Sequence, residues 1–169
     1  MNSHVDGRGR GCYDIFPNSD MNGQVNVSTT MPGIVRGFHW HKLQTDHVFV
    51  VSGTMHIVLV NPNEEFKFDK PNEYFEENGS LWREDVIYNK DDGFEENILV
   101  CVGQIEHHHI GEHSIGSLKI VPGVIHGFSP AYGQPATMIY YTTEKYNPDD
   151  ELRLRADYFG HDIFKAKSE

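Results

Sequence analysis

The chain has 169 residues, enough for one domain with a substantial core and short for two. A formal charge of −11 argues against a nucleic-acid-binding surface, which needs a basic footprint, yet admits a nucleotide ligand held by a few local arginines or N–H groups. Apolar residues at 38% are too many for a disordered chain, and 12% aromatic residues favour packed β-structure.

Met1-Asn2-Ser3-His4 leads into Asp and Arg residues, without the apolar stretch of a secretory leader. No uncharged apolar run approaches membrane-spanning length. Cys12 and Cys101 are too few for a disulfide framework and read as reduced thiols. The expectation is a cytoplasmic protein without membrane contact.

Residues 1–16 are Gly-rich and end in Cys12-Tyr13-Asp14-Ile15-Phe16, a first edge strand behind the terminus. Residues 24–53 read as strands joined by the Pro32-Gly33 turn and closed by Ser52-Gly53. Gln24, Asn26 and Ser28 fall at every second position, so a strand points all three to one face. His39 and His41 are likewise two apart, with Arg36 just before them. A strand face carrying amide, hydroxyl and imidazole groups is costly to bury without a ligand, which marks this stretch as a candidate site.

Residues 54–60 alternate as another strand, broken by Asn61-Pro62-Asn63. From about 61 to 97, acidic and aromatic residues interleave, among them Glu64, Glu65, Phe66, Tyr74, Trp82 and Tyr88. This reads as an insertion of short strands and loops whose charges form a solvated surface. The other reading is a lid whose Trp82 or Tyr88 stacks on a ligand.

Residues 98–103 fit a buried strand. The run from 105 to 113, with His107, His108, His109 and His113, reads as a polar strand end or loop and not as a site. His47 and His56 are taken as structural. Residues 118–128 form strand, Pro122-Gly123 turn, and a second strand bearing His126. Residues 137–143 are the last clear strand, stopped at Tyr146-Asn147-Pro148, and a weak helical pattern covers 150–157. Many short strands, Gly/Pro turns and no long helical period predict an all-β jelly-roll barrel occupying residues 1–169 as one domain.

Two motifs carry a resemblance. Gly33, His39-Trp40-His41, Asp46 and Gly53 reproduce the spacing of the first cupin motif, with Asp46 where Glu is usual. Gly116, Pro122-Gly123 and His126 resemble the second, one residue shorter. The resemblance implies a double-stranded β-helix (cupin) fold. His39, His41, Asp46 and His126 would then suit a divalent transition metal, although many such barrels keep the geometry without an ion.

A sharper resemblance is to the dTDP-4-dehydrorhamnose 3,5-epimerases. QVNVSTTMPGIVRGFHWH is similar to their Gln-x-Asn-x-Ser … Arg-Gly-Leu-His segment, IVPGVIHGF to their Ile-Pro-Glu-Gly-Phe-Ala-His-Gly-Phe, and YYTTEKYNPDDE to their Tyr-x-x-(Ser/Thr)-x-x-Tyr-x-Pro-x-x-Glu. It implies cofactor-free epimerisation of a nucleotide-linked 4-keto-6-deoxy sugar by a homodimer paired through an N-terminal strand. His39 would be the base beside the ketone and Tyr140 the acid on the opposite face. Arg36 would bind near the sugar and phosphates, Gln24 and Asn26 would contact the nucleotide, Tyr146 would line the pocket, and His126 would lie beside the sugar. The carboxylate that orients the base has only Asp157 and Asp162 as nominal substitutes.

Arg36-Gly37-Phe38-His39-Trp40-His41-Lys42 also resembles the Arg-Gly-x-His-Ala-His-Lys of the 3,4-ketoisomerases acting on the same substrate class, in which both histidines take part. Four readings stay open: epimerase, ketoisomerase, metal-dependent cupin enzyme, and a sugar-binding barrel without catalysis.

Overall fold

The computed structural model describes residues 22–71, 73–88, 95–111, 114, 116–160 and 162–164, and the backbone of 2–6 and 9–13. Thirteen strands account for its regular structure: β1 (Asn2–Asp6), β2 (Gly9–Tyr13), β3 (Gln24–Thr30), β4 (Arg36–His41), β5 (Asp46–Ser52), β6 (Thr54–Pro62), β7 (Tyr74–Glu77), β8 (Ser80–Tyr88), β9 (Glu95–Gly111), β10 (Ser117–Ile120), β11 (Ile125–Pro130), β12 (Ala136–Thr142) and β13 (Glu151–Arg153). Two antiparallel sheets form the barrel, in the orders β10-β5-β12-β3 and β13-β4-β11-β6-β9-β8-β7. β1 and β2 form a separate hairpin. No helix among the described residues is long and apolar enough to cross a membrane.

Strand parity decides the packing. Met55, Ile57 and Leu59 of β6 face inward onto Val48 and Val50 of β5, Phe128 of β11 and Met138 of β12, forming the barrel interior. Val58 and Val60, of opposite parity, face outward, yet they are fully buried. A second core covers them, built from Phe38, Phe66, Tyr74, Leu81, Tyr158 and Phe159. The insertion and the C-terminal segment therefore close the outer face of the seven-stranded sheet. Gly127 lets this happen: a Cβ there would stand 2.8 Å from the Phe38 ring and 3.2 Å from Phe164.

Several sequence expectations change. In place of one edge strand, the N-terminal stretch forms the β1–β2 hairpin, ending at Tyr13, and residues 14–16 lie outside the described residues. The insertion carries β7 and β8, and β8 pairs along most of β9, with residues 89–94 outside the described set. Its charges are not all solvated: Arg83 is fully buried, with Nε and Nη2 donating to the two oxygens of Asp85 and Nη1 donating to Glu65 O. A guanidinium satisfied on all sides can be enclosed where a bare charge cannot. The upstream half of β9 is less buried than expected, with Leu99 58% exposed.

Of the two readings of the histidine run, strand end and loop, the strand holds. His107, His108 and His109 lie within β9, opposite Val58, Ile57 and His56 of β6; His113 lies outside the described residues. There is no helix at 150–157. Glu151, Leu152 and Arg153 pair with His41, Trp40 and His39 as β13, because β4 would otherwise be left as an open edge and a ladder offers more hydrogen bonds than one frayed helical turn.

Candidate active site

A cavity of about 300 Å³ lies between the sheets, floored by Phe128 and Met138 of the barrel interior. β3 lends it Gln24 and Asn26, β4 lends Arg36, His39 and His41, and β5 lends Asp46. His126 of β11, Tyr140 of β12 and Tyr146 from the following loop complete the residues expected from sequence, and all of them border this one space. Gln44, Thr142, Glu151 and Arg153 border it too.

Arg36 and His39 are three apart and should face opposite ways in a regular strand. The pairing of β4 with β11 shifts register between His126 and Gly127, so an extra residue is taken up and both side chains reach the cavity. Gly37 permits the irregularity, since its φ is +130° and a Cβ would come within 2.8 Å of Gly127 Cα. Arg36 is then tied to β3, with Nε donating to Thr30 Oγ1 at 2.7 Å and Nη2 donating to Thr29 O at 3.1 Å.

On β3 the polar alternation faces inward as its period requires. Gln24 Nε2 donates to Asn26 Oδ1 at 3.1 Å, while Gln24 Oε1 accepts from the Tyr146 N–H at 3.3 Å. Asn26 Nδ2 is buried with no partner, a donor left for a ligand. Arg153 lies 5.7 Å from the Tyr146 ring, so an aromatic face and a second guanidinium stand together beside the cavity.

Three imidazoles meet in the cavity wall. His39 and His126 are 5.9 Å apart between ring centres, His41 and His126 are 5.6 Å apart and stacked, and His39 and His41 are 6.5 Å apart. Burial lowers His39 to about 4, with His126 adding to the effect and Glu151 opposing it. Burial also lowers His41, against the pull of Asp46. Burial would raise Asp46, but the hydrogen bond and charge of His126 and the charge of His41 outweigh it and hold the carboxyl below its ordinary value. Burial raises Tyr140, and the negative charge of Asp46 adds to this, so the phenol keeps its proton at neutral pH.

The carboxylate nearest His39 is neither Asp157 nor Asp162. Glu151 Oε1 stands 3.9 Å from His39 Nε2, an ion-pair distance beyond hydrogen-bond reach, and Glu151 Oε2 accepts from Arg153 Nε at 2.8 Å. Asp157 instead accepts from Arg155. Sequence reasoning missed Glu151 and Arg153, because a three-residue alternation gives no strand signal until β4 offers an edge to pair with. Trp82 and Tyr88 do not border the cavity: β8 is separated from β4 by β11, β6 and β9. The lid reading is therefore dropped.

The tightest cluster is His41, Asp46 and His126, whose ligand atoms all lie within 4.8 Å of one another, and all three residues are buried. His126 Nδ1 donates to Val124 O at 3.2 Å, which turns Nε2 toward Asp46 Oδ2 at 3.4 Å. Gln44 Nε2 donates to Asp46 Oδ1 at 2.7 Å and to His41 Nε2 at 3.3 Å. His39, the fourth member of the expected metal set, lies outside this group of three.

Comparison with known proteins places this architecture. Residues 4–74 match the family described as polysaccharide biosynthesis C-terminal domain. The spore coat polysaccharide biosynthesis protein SpsL of Bacillus subtilis (strain 168) is 28% identical over 137 residues, which are 80% of this chain and 69% of that protein. The dTDP-4-dehydrorhamnose 3,5-epimerase from Sulfolobus tokodaii superimposes with a TM-score of 0.63 at 21% identity, over 96% of this chain and 78% of that one. A dTDP sugar isomerase from Desulfovibrio desulfuricans G20 gives 0.62 at 18% identity, over 92% and 81%. The fold is the cupin double-stranded β-helix that those sugar-nucleotide epimerases and isomerases share.

Proposed function

We propose that this protein is an isomerase acting on a nucleotide-linked 4-keto-6-deoxy sugar, in the manner of the dTDP-4-dehydrorhamnose 3,5-epimerases, and that it serves polysaccharide biosynthesis. One observation carries the reading: His39 and Tyr140, on strands of opposite sheets, border the same cavity with Arg36 at its edge. The names of the proteins that share its fold, and of its polysaccharide-biosynthesis relative, support the substrate class.

His39 removes the proton next to the ketone. Burial makes it a weak base by itself, and the negative charge of a bound diphosphate and of the forming enolate raises it toward neutrality. Arg36 and the unspent Asn26 amide stabilise negative charge on the ligand, as preorganised donors do. Tyr140, protonated, returns a proton from the other sheet's side of the sugar, which gives inversion. Tyr146 and Arg153 hold the nucleotide end, the ring offering a stacking face and the guanidinium pairing with phosphate. The protein acts as a cytoplasmic homodimer, with residues 1–169 a single domain and no cofactor.

A second reading rests on His41, Asp46 and His126, which fit a divalent transition metal: two imidazoles and a carboxylate, with one imidazole already oriented through its Nδ1–H by Val124 O. A metal there would polarise a ketone or enolate oxygen. Metal analysis of protein prepared without a histidine tag separates the two, because stoichiometric zinc, iron, manganese or nickel would displace the metal-free scheme. The catalytic reading itself is tested by incorporation of deuterium from D₂O into dTDP-4-keto-6-deoxyglucose. Wild type is expected to exchange and His39→Ala is not. If wild type exchanges no nucleotide-linked ketosugar, the metal reading or that of a sugar-binding barrel without catalysis takes its place.

A further inference from the structure

Asp150 is 6% exposed and does not border the cavity, yet its carboxylate accepts three backbone hydrogen bonds. Oδ1 accepts the N–H groups of Lys42 at 3.1 Å and Leu43 at 2.8 Å, and Oδ2 accepts that of Gln44 at 3.2 Å. One carboxylate thus gathers three successive amides of the turn that follows β4, an anion-binding concavity occupied by a side chain of the same protein. The same Oδ2 stands 3.7 Å from His41 Nδ1, a buried ring nitrogen with no hydrogen-bond partner.

This arrangement discriminates between the two neutral forms of His41. With the proton on Nδ1, an N–H faces the carboxylate and the Nε2 lone pair accepts from Gln44 Nε2 at 3.3 Å. With the proton on Nε2, a lone pair faces a negative charge and one N–H faces another. Gln44 cannot relieve this by turning its amide over, because its nitrogen is also the donor to Asp46 Oδ1 at 2.7 Å.

We propose that Asp150 is a positioning residue: it holds His41 with the proton on Nδ1 and the Nε2 lone pair toward Gln44 at the cavity wall, and it fixes the turn from which Gln44 reaches both His41 and Asp46. His41 can then take a hydrogen bond or proton at Nε2 from a hydroxyl or acidic carbon only in exchange for its contact with Gln44, and it cannot donate to a carbonyl oxygen. This consequence for the reaction rests on the isomerase reading above; the tautomer itself does not.

The experiment follows the ring nitrogens of His41 in ¹⁵N-labelled full-length protein at pH 7.5, where burial keeps the ring neutral, with His41→Gln to assign it. Wild type is expected to show a protonated Nδ1 and an unprotonated Nε2. Asp150→Asn is nearly isosteric. Its oxygen still serves Lys42 and Leu43, but its NH₂ gives up the Gln44 N–H and now faces His41 Nδ1, so the proton is expected to move to Nε2. In the exchange assay the same variant should lose 10- to 100-fold in kcat, roughly the share of one misdirected acid–base group, with KM changed less than about threefold. An Nε2–H ring in wild type, or an unchanged ring in Asp150→Asn, overturns the proposal. A switched ring with unchanged kcat overturns its link to the reaction. Should Asp150→Asn not fold, the wild-type tautomer still decides. Should wild type turn over no ketosugar, the isomerase reading fails while the ring measurement continues to test Asp150.

Discussion

Two triads of histidine face opposite sides of the same sheet. His39, His41 and His126 point into the barrel; His56, His107 and His109 point outward from β6 and β9. Two of the outer three spend nitrogens on each other and on a carboxylate: His56 Nε2 meets His107 Nδ1 at 2.8 Å, and His107 Nε2 meets Glu76 Oε2 at 2.9 Å. His109 stacks on His56 at 4.3 Å and Phe164 caps the pair edge-on at 5.2 Å. The inner three keep ring nitrogens beside a cavity of about 300 Å³, with carboxylates behind or between them. The inner cluster differs in having a cavity beside it, which the proposed function uses. The more conspicuous run in the chain, His107 to His109, does not border that cavity.

The sharpest way to break this contrast is by substitution in each triad. His39→Ala should lower deuterium exchange by about 10²–10⁴, while His107→Ala should leave it within about twofold, both read by mass spectrometry. Equal losses would mean that the outer triad is coupled to the chemistry. Tyr140→Phe should retain exchange, because the base is intact, but lose inverted product on the order of 10²-fold, read by NMR of the sugar. Arg36→Ala removes charge-assisted hydrogen bonds at the cavity edge and should raise KM by about 10- to 100-fold, corresponding to roughly 1.5–3 kcal/mol.

On the outer side the expected currency is stability. His107→Leu leaves Glu76 and His56 without this partner and should cost about 1–3 kcal/mol in urea unfolding, with activity retained. The smallest effect is with pH. Burial lowers His56 to about 4, against an unfolded value near 6.5. Between these values the unfolded chain binds the extra proton, so the contribution is complete above pH 6.5 and is lost as pH falls toward 4. From pH 7 to 5 this amounts to about 1–2 kcal/mol, and His56→Gln should remove that part of the slope.

Much of the site was legible because strand geometry is periodic. Gln24 and Asn26, and His39 and His41, share a face wherever a strand forms, and the three motifs around His39, His126 and Tyr140 lie in the order the barrel uses. Glu151 and Asp150 were not legible as partners of His39 and His41, since a short alternation at 151–153 carries no strand signal without an open edge to pair with. Nor was the partnership of Gln44, a residue whose role comes from the turn that Asp150 shapes.

The sequence by itself determined an all-β barrel with a polar inner strand face, because apolar period two and Gly/Pro turns leave few other ways to bury these residues. Sheet order and packing settle which histidines border the space between the sheets and which lie on the outer face, where His56 is buried and His107 and His109 are exposed. Both groups sit on strands and obey the same parity. What differs is the layer packed against each face, and that is set by sheet order and chain crossing, which no local pattern records.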